Sequence, residues 1–168
     1  IERATRELYA TSSCGLCGKA SIDRIFAQVG PFSKTLDFDE DLLLILPQRM
    51  RDAQESFHST GGIHGAALFT VEGQLEVIRE DIGRHNAVDK ILGYRLLRDK
   101  VPIDDRILVI SSRAGFEIVQ KAAVGRITAV VAMGAASSMA IDLANELGMK
   151  LYGFAGDTRF NRYSPSSP

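Results

Sequence analysis

The stretch from Ile107 to Ala155, ILVISSRAGFEIVQKAAVGRITAVVAMGAASSMAIDLANELGMKLYGFA, alternates short apolar runs with longer amphipathic ones, and its reading decides the fold. Ile107-Leu108-Val109-Ile110, Thr128-Ala129-Val130-Val131-Ala132-Met133 and Lys150-Leu151-Tyr152-Gly153-Phe154-Ala155 are strand-length runs bounded by polar and glycine-containing turns. Between them, Phe116 to Val124 and Ser137 to Leu147 repeat apolar residues at helical spacing, and Gly148 closes the second. Strand–helix–strand units of this length need right-handed crossovers, so the reading predicts a parallel segment covered on both faces.

Working outward, Ile63 to Val71 and Leu75 to Arg79 read as two strands turned around Gly73. Adding this hairpin gives an α/β fold: a three-layer α/β/α sandwich around a mixed five-stranded sheet. Ala87, Val88, Ile91, Leu92, Leu96 and Leu97 define a long helical face that exits before Pro102. Further upstream, Asp37 to Asp41 form an acidic stretch, followed by an apolar run of ambiguous type. Pro47 is suited to open the next helix, with Met50, Gln54 and Phe57 on related faces and Ser59-Thr60-Gly61-Gly62 ending it. Ile22, Ile25, Phe26 and Val29 mark an N-terminal helix stopped by Gly30-Pro31. Residues 1–163 are expected to form one domain and 164–168 a flexible tail, with the chain loose from Tyr163 onward.

With 168 residues, 45% of them hydrophobic, the chain can bury a full core. Twenty basic against 21 acidic residues give a formal charge of -1, which argues against bulk nucleic-acid or membrane-surface binding while leaving local basic residues free to hold a phosphate. No apolar run reaches the roughly 18 residues of a spanning helix, and no signal-peptide pattern is present. Two cysteines are too few for a disulfide scaffold, so a reducing cytoplasm is the expected setting. The chain opens on Ile1-Glu2-Arg3 rather than Met, which suggests an upstream part.

Both cysteines lie in Cys14-Gly15-Leu16-Cys17-Gly18-Lys19, just before the N-terminal helix. Three readings stay open. A thiolate at a helix N-terminus, helped by Lys19, would be nucleophilic or carry a persulfide. A thioredoxin-like dithiol is the second, although no strand precedes the pair. Zinc is the third, and would need two more ligands from His58, His64, His85 or carboxylates, none in finger spacing.

In an α/β sheet, ligands gather beyond the carboxyl ends of the strands. Four polar segments are predicted to converge there: Glu80 to Asn86, Ser111 to Gly115, Met133 to Ser138, and Gly156 to Arg159. His85 stands among Asp81, Arg84, Asn86, Asp89 and Lys90, where Asp81 or Asp89 could orient its ring. His64 follows two glycines and is either functional or half-buried and satisfied, while His58 reads as a surface cap. Ser111-Ser112-Arg113-Ala114-Gly115 has the context of a phosphate nest without being a P-loop or a dinucleotide fingerprint. Ser137 reads equally as a ligand contact or an N-cap. Arg159 and Arg162 either reach a phosphate or form a solvated end, and Glu117 with Lys121 reads as a surface i,i+4 pair.

Taken together, Cys14-Gly15-Leu16-Cys17-Gly18, Thr60-Gly61-Gly62-Ile63-His64, the long string Glu80-Asp81-Ile82-Gly83-Arg84-His85-Asn86-Ala87-Val88-Asp89-Lys90, Phe116-Glu117-Ile118-Val119-Gln120-Lys121-Ala122 and Gly153-Phe154 resemble the FdhD family of sulfurtransferases required for formate dehydrogenase activity. The resemblance spans nearly the whole chain and corresponds to the family's C-terminal catalytic part, its usual N-terminal region lying outside this sequence. It implies a cytidine-deaminase-like α/β/α domain that takes persulfide sulfur from a cysteine desulfurase and passes it to the bis-molybdopterin guanine dinucleotide cofactor, with guanine nucleotides as fragment mimics. By resemblance, Cys14 is the persulfide carrier and Cys17 the assisting or resolving thiol, with the two roles exchangeable. The loop Gly153, Phe154, Ala155, Gly156, Asp157, Thr158 and Arg159 is expected to hold the cofactor, joined by Arg84, His85, Arg113 and Ser137. No resident metal is expected. The implied partners are the desulfurase and formate dehydrogenase, and a homodimer is compatible with the resemblance.

The chain departs from the family's usual pattern at Ser111 to Gly115, at Gly134 to Ser137, and at Gly156, where an Arg is common. These changes remove hydroxyls and one charge from the expected cofactor loops. Two alternatives from other classes are a zinc-dependent deaminase-like hydrolase, which lacks its His-x-Glu and Pro-Cys-x-x-Cys motifs here, and a non-catalytic nucleotide or molybdenum-cofactor chaperone.

Overall fold

A computed structural model describes residues 29–34 and 36–164. Cys14, Cys17, all but Val29 of the helix expected from Ile22, and residues 165–168 lie outside the described residues. In chain order the elements are α1 (Leu42–Asp52), α2 (Glu55–Thr60), β1 (His64–Phe69), β2 (Leu75–Asp81), α3 (Arg84–Leu96), β3 (Ile107–Ile110), α4 (Phe116–Val124), β4 (Ala129–Ala132), α5 (Ser138–Leu147), β5 (Lys150–Gly153) and β6 (Asn161–Ser164).

The sheet runs β2-β1-β3-β4-β5-β6. β3, β4 and β5 are parallel, as the two crossovers demand, and β1, β2 and β6 pair antiparallel. Alternation along each strand splits the core. Ala66, Leu68, Leu108, Ile110, Val130, Ala132 and Leu151 face α3, α4 and α5, while Ala67, Phe69, Ile107, Val109, Ala129, Val131 and Tyr152 face α1. Both faces of the central strands are therefore dry, which is why β3 and β4 read as unbroken apolar runs.

The sheet has six strands where the sequence predicts five. Tyr163 and Ser164, expected as the start of a loose tail, belong to β6 on the edge beside β5, and Ser164 is fully buried. Its residues carry little strand propensity, so side chains outside the segment fix it. The buried Tyr152 hydroxyl donates to Glu40 Oε1 at 2.6 Å, and Arg162 reaches the same oxygen. Phe38 and Phe160 meet the Tyr152 ring edge-on at 6.2 and 5.8 Å. Burial and the Glu40 carboxylate push the Tyr152 hydroxyl above the ordinary tyrosine range, so it stays a donor.

Pro47 does not open a helix but sits inside α1. The helix begins earlier because Asp39, Glu40 and Asp41 carbonyls accept from the Leu42, Leu43 and Leu44 amides. Leu43, Leu46, Pro47 and Met50 then share the buried face, and burial of the Pro ring offsets the missing amide.

Arg95, 4% exposed, ties the far end of α3 to β2 and to the loop before β3. Its guanidinium donates to both Glu76 carboxylate oxygens at 3.0 and 3.1 Å and to Asp105 at 3.0 Å, and its Nε donates to the Lys100 carbonyl. Arg106 adds a second cation on Glu76. Burial pushes Glu76 upward, but hydrogen bonds from Arg95 and Arg106 outweigh it and hold the carboxyl below its ordinary 4.5. The stabilisation is therefore complete above that value and is lost as pH falls through the lower folded-state value. Arg95→Met, which leaves Glu76 half-compensated, is expected to destabilise the fold by about 3 kcal/mol in urea unfolding at neutral pH, with the deficit shrinking as the carboxyl protonates in acid.

Candidate functional site

Strand register brings the scattered polar segments to one end of the sheet. Ala66 pairs with Ile110, Ile110 with Ala132, and Val131 with Tyr152, so the segments leaving β3, β4 and β5 emerge side by side. His64 pairs with Asp81, which places the start of β1 and the end of β2 at that same end.

Two of these segments are fastened to each other beyond the sheet. The Ala114 amide donates to Ala135 O at 3.0 Å, the Ser137 amide to Ala114 O at 3.1 Å, and the Gly134 amide to Ser112 O at 3.2 Å. Ala114 and Ala136 form an isolated parallel bridge. Helices α4 and α5 therefore start next to each other. A pocket of about 200 Å³ opens here, lined by Arg84, Arg113, Ala114, Gly115, Ala135, Ala136 and Ser137.

The pocket is electropositive for two additive reasons. Three helices begin around it, and first-turn amides have no intrahelical acceptor. Gly83 and Gly115, which cap α3 and α4, bring no side-chain acceptor, while Ser137 Oγ accepts from Ala140 N at 3.3 Å and so serves α5 as its N-cap. Arg84 and Arg113 are exposed, and neither pairs with a carboxylate among the described residues. Amides plus two uncompensated guanidiniums can hold an anion such as a phosphate.

Acids nearby act as struts. Asp81 accepts from Lys90 Nζ at 2.6 Å, from Gly83 N at 2.9 Å and from Asn86 Nδ2 at 3.0 Å, and fixes the turn into α3. Lys90 first, then the Gly83 amide and Asn86, hold its carboxyl at about 2. Glu80 reaches back to α2, accepting from the Ser56 and Phe57 amides at 2.8 and 2.9 Å. Neither Asp81 nor Asp89 orients His85. Its Nε2 lies 3.2 Å from Glu117 Oε2, and Asp89 instead binds Lys121 at 2.5 Å. The expected Glu117–Lys121 surface pair is thus replaced by two bridges between α3 and α4. A single sequence shows i,i+4 neighbours but not the facing helix.

Of the residues predicted for the site, Arg84, Arg113 and Ser137 line the pocket together and His85 stands one residue beyond it. Gly153 to Arg159 do not line it, yet their first residues are fastened to its wall. Phe154, at φ 51°, donates its amide to Gly134 O at 3.1 Å, and Ala155 donates to Ala132 O at 3.1 Å. Asp157, Thr158 and Arg159 are exposed farther along, with Arg159 O accepting from the Gly156 amide. Sequence reasoning placed the lining positions Ala114, Gly115, Ala135 and Ala136 within its converging segments Ser111 to Gly115 and Met133 to Ser138 without singling them out as site residues; they contribute backbone and lack of bulk rather than chemistry. It also left His64 undecided. His64 Nδ1 lies 3.4 Å from Ser111 Oγ, which already accepts the Gly65 amide, and burial followed by the Arg84 charge lowers the imidazole below its ordinary range. Among the described residues, no three of His, Cys, Asp and Glu gather as a metal-binding group.

Comparison with known proteins follows the same lines. The profile of the FdhD/NarQ family matches residues 1–167. The chain is 45% identical over 159 residues to a sulfur carrier protein FdhD of Corynebacterium efficiens and 47% identical over 165 residues to one of Streptomyces avermitilis, covering 95% of this chain and 57% of each relative. It therefore spans little more than half the length of these curated relatives. The crystal structure of a proposed formate dehydrogenase accessory protein from Desulfotalea psychrophila aligns with a TM-score of 0.70 at 26% identity, covering 83% of this chain and 60% of that one.

A Cβ on Gly134 would stand 2.9 to 3.1 Å from Arg113 Cγ, N and Cα. Because two of these atoms are backbone, the loops must separate. Gly134→Ala is expected to cost about 1–3 kcal/mol of stability and to weaken binding of inorganic phosphate several-fold, measured by thermal unfolding with and without phosphate.

Proposed function

The chain belongs to the FdhD/NarQ family, and we propose that it carries sulfur as a cysteine persulfide and delivers it to the bis-molybdopterin guanine dinucleotide cofactor on behalf of formate dehydrogenase. The observation that carries this reading is the pocket where Arg84 and Arg113 meet the beginnings of α4 and α5. Its chemistry suits a nucleotide phosphate, and its small Ala and Gly wall allows close approach to backbone amides.

Size limits what enters. About 200 Å³ is below the roughly 300–1,000 Å³ of sites that enclose a whole small molecule. The pocket thus receives one phosphate-bearing end of the cofactor, and the rest of that large substrate lies over the rim. A cytidine-deaminase-like arrangement is compatible with the observed order of β2, β1, β3, β4 and β5. The rim loop that starts at Gly153, with Phe154 exposed beside Gly134, is suited to receive the remainder.

In the proposed reaction the Cys14 thiolate attacks the outer sulfur of a persulfide on the desulfurase, the donor S–S bond breaks, and the donor cysteine leaves as thiolate. Cys14 then holds one additional sulfur. Delivery as hydrosulfide balances if the Cys17 thiolate displaces it, forming a Cys14–Cys17 disulfide that a cellular dithiol reduces before the next cycle. The arginines and helix amides hold the substrate during transfer. The cytoplasm, where desulfurases and dithiol reductants operate, is the proposed location.

Incubation with a cysteine desulfurase and cysteine is expected to add about 32 Da, one sulfur atom, at Cys14, assigned by fragment ions that separate it from Cys17. Addition solely at Cys17 would exchange the two roles, and addition at neither would end the proposal. Arg113→Glu is expected to lower affinity for GDP at least about tenfold by calorimetry while leaving that mass shift in place.

A further inference from the structure

Strand β2 ends the sheet, and its outer side is not covered by another strand among the described residues. Between it and α3 runs an open groove of about 500 Å³, lined by Arg79, Glu80, Lys90, Gly93, Tyr94, Leu97 and Arg98. Four features point to one kind of occupant.

The first is charge. Arg79 and Arg98 have no carboxylate partner among the described residues, and the guanidinium groups lie 5.0 and 3.9 Å from the Tyr94 ring centroid. The one acid of the groove, Glu80, is turned away to hold the start of α2. The second is the state of the strand edge. The Ile78 carbonyl accepts from Arg79 Nη1 at 2.7 Å and the Glu80 carbonyl from Lys90 Nζ at 2.9 Å. Cationic side chains thus cover the backbone acceptors that an added strand would use, a common protection of a free edge.

The third feature is shape. Gly93 removes a side chain from the α3 wall, and nothing lies within 4 Å of where its Cβ would be. Leu97, 84% exposed, gives an apolar end. The fourth is position. Helix α3 supplies a wall of both the groove and the pocket, and Lys90 of the groove binds Asp81, whose turn leads into Arg84 of the pocket.

We propose that this groove docks an extended acidic polypeptide segment of a protein partner alongside β2. Carboxylates of the segment draw Arg79 and Lys90 off the strand edge, and its amides then donate to the freed Ile78 and Glu80 carbonyls. Apolar residues alternating with the acids cover Leu97. The Tyr94 ring is already occupied by guanidinium groups, which disfavours base stacking and favours a peptide over single-stranded nucleic acid. Docking here sets a partner beside the anion pocket without filling it.

The test uses the full chain and a short fluorescent peptide of alternating Glu and Val, followed by anisotropy. Binding is expected at about 50 mM NaCl and is expected to weaken steeply by about 300 mM. Arg79→Glu with Arg98→Glu should weaken it at least about tenfold, Arg79→Lys with Arg98→Lys should largely retain it, and Arg113→Glu should leave it unchanged. Circular dichroism establishes that each variant is folded, and Arg79→Gln with Arg98→Gln, expected to give an intermediate loss, replaces the reversal if that variant does not fold. Undiminished binding in the reversed or neutralised variant, loss on Arg113→Glu, or tighter binding of poly(U) RNA through the same arginines would each overturn the proposal.

Discussion

The backbone bridge between Ala114 and Ala136 is the contact on which the functional end of this molecule depends. Parallel strands alone would bring β3 and β4 close and then let the chain diverge into helices. Here pairing continues past both strands through the Ala114, Gly134 and Ser137 amides, and the two helices are released together. That requires near-zero side-chain volume at Gly134, where added bulk meets Arg113 backbone, and at Gly153, where it would meet Gly134 O at 2.9 Å and the Tyr163 ring at 2.5 Å. The positive pole of each helix and the guanidinium group of Arg113 are thus delivered to one spot by the backbone.

The same end shows a division of labour among charged residues. Asp81, Glu80 and Glu117 each spend their charge on a fixed partner: a turn, a helix start and His85. With these acids engaged elsewhere, Arg84 and Arg113 are left without a carboxylate partner among the described residues. His64, held 3.4 Å from Ser111 Oγ at the start of β1, is made less basic by burial and by Arg84.

Much of this was legible in the chain. The runs at Ile107, Thr128 and Lys150 were readable because both faces of those strands are buried, and Gly148 marked a helix end that the structure reproduces at φ 71°. Arg84, Arg113 and Ser137 could be grouped because residues following parallel strands share one end of the sheet. Strand β6 was hidden, since Asn161 to Ser164 owe their conformation to β5 and to Glu40, which lies 112 residues before Tyr152 and 122 before Arg162 in sequence. Pro47 misled because its usual place is the first helical turn, whereas here an apolar ring was needed one turn after Leu43. Ala135 and Ala136 were legible only as part of a small-residue run after β4, as their contribution is the bulk they lack.

The central claim is that an anion binds where α4 and α5 begin. Amide chemical shifts during titration of the labelled protein with GDP test it most directly. The account predicts the largest changes at Gly115, Phe116, Glu117, Ser138 and Met139, saturating with a single dissociation constant. Changes centred on the β2–α3 groove or on Arg162, with Gly115 and Ser138 unmoved, would contradict it.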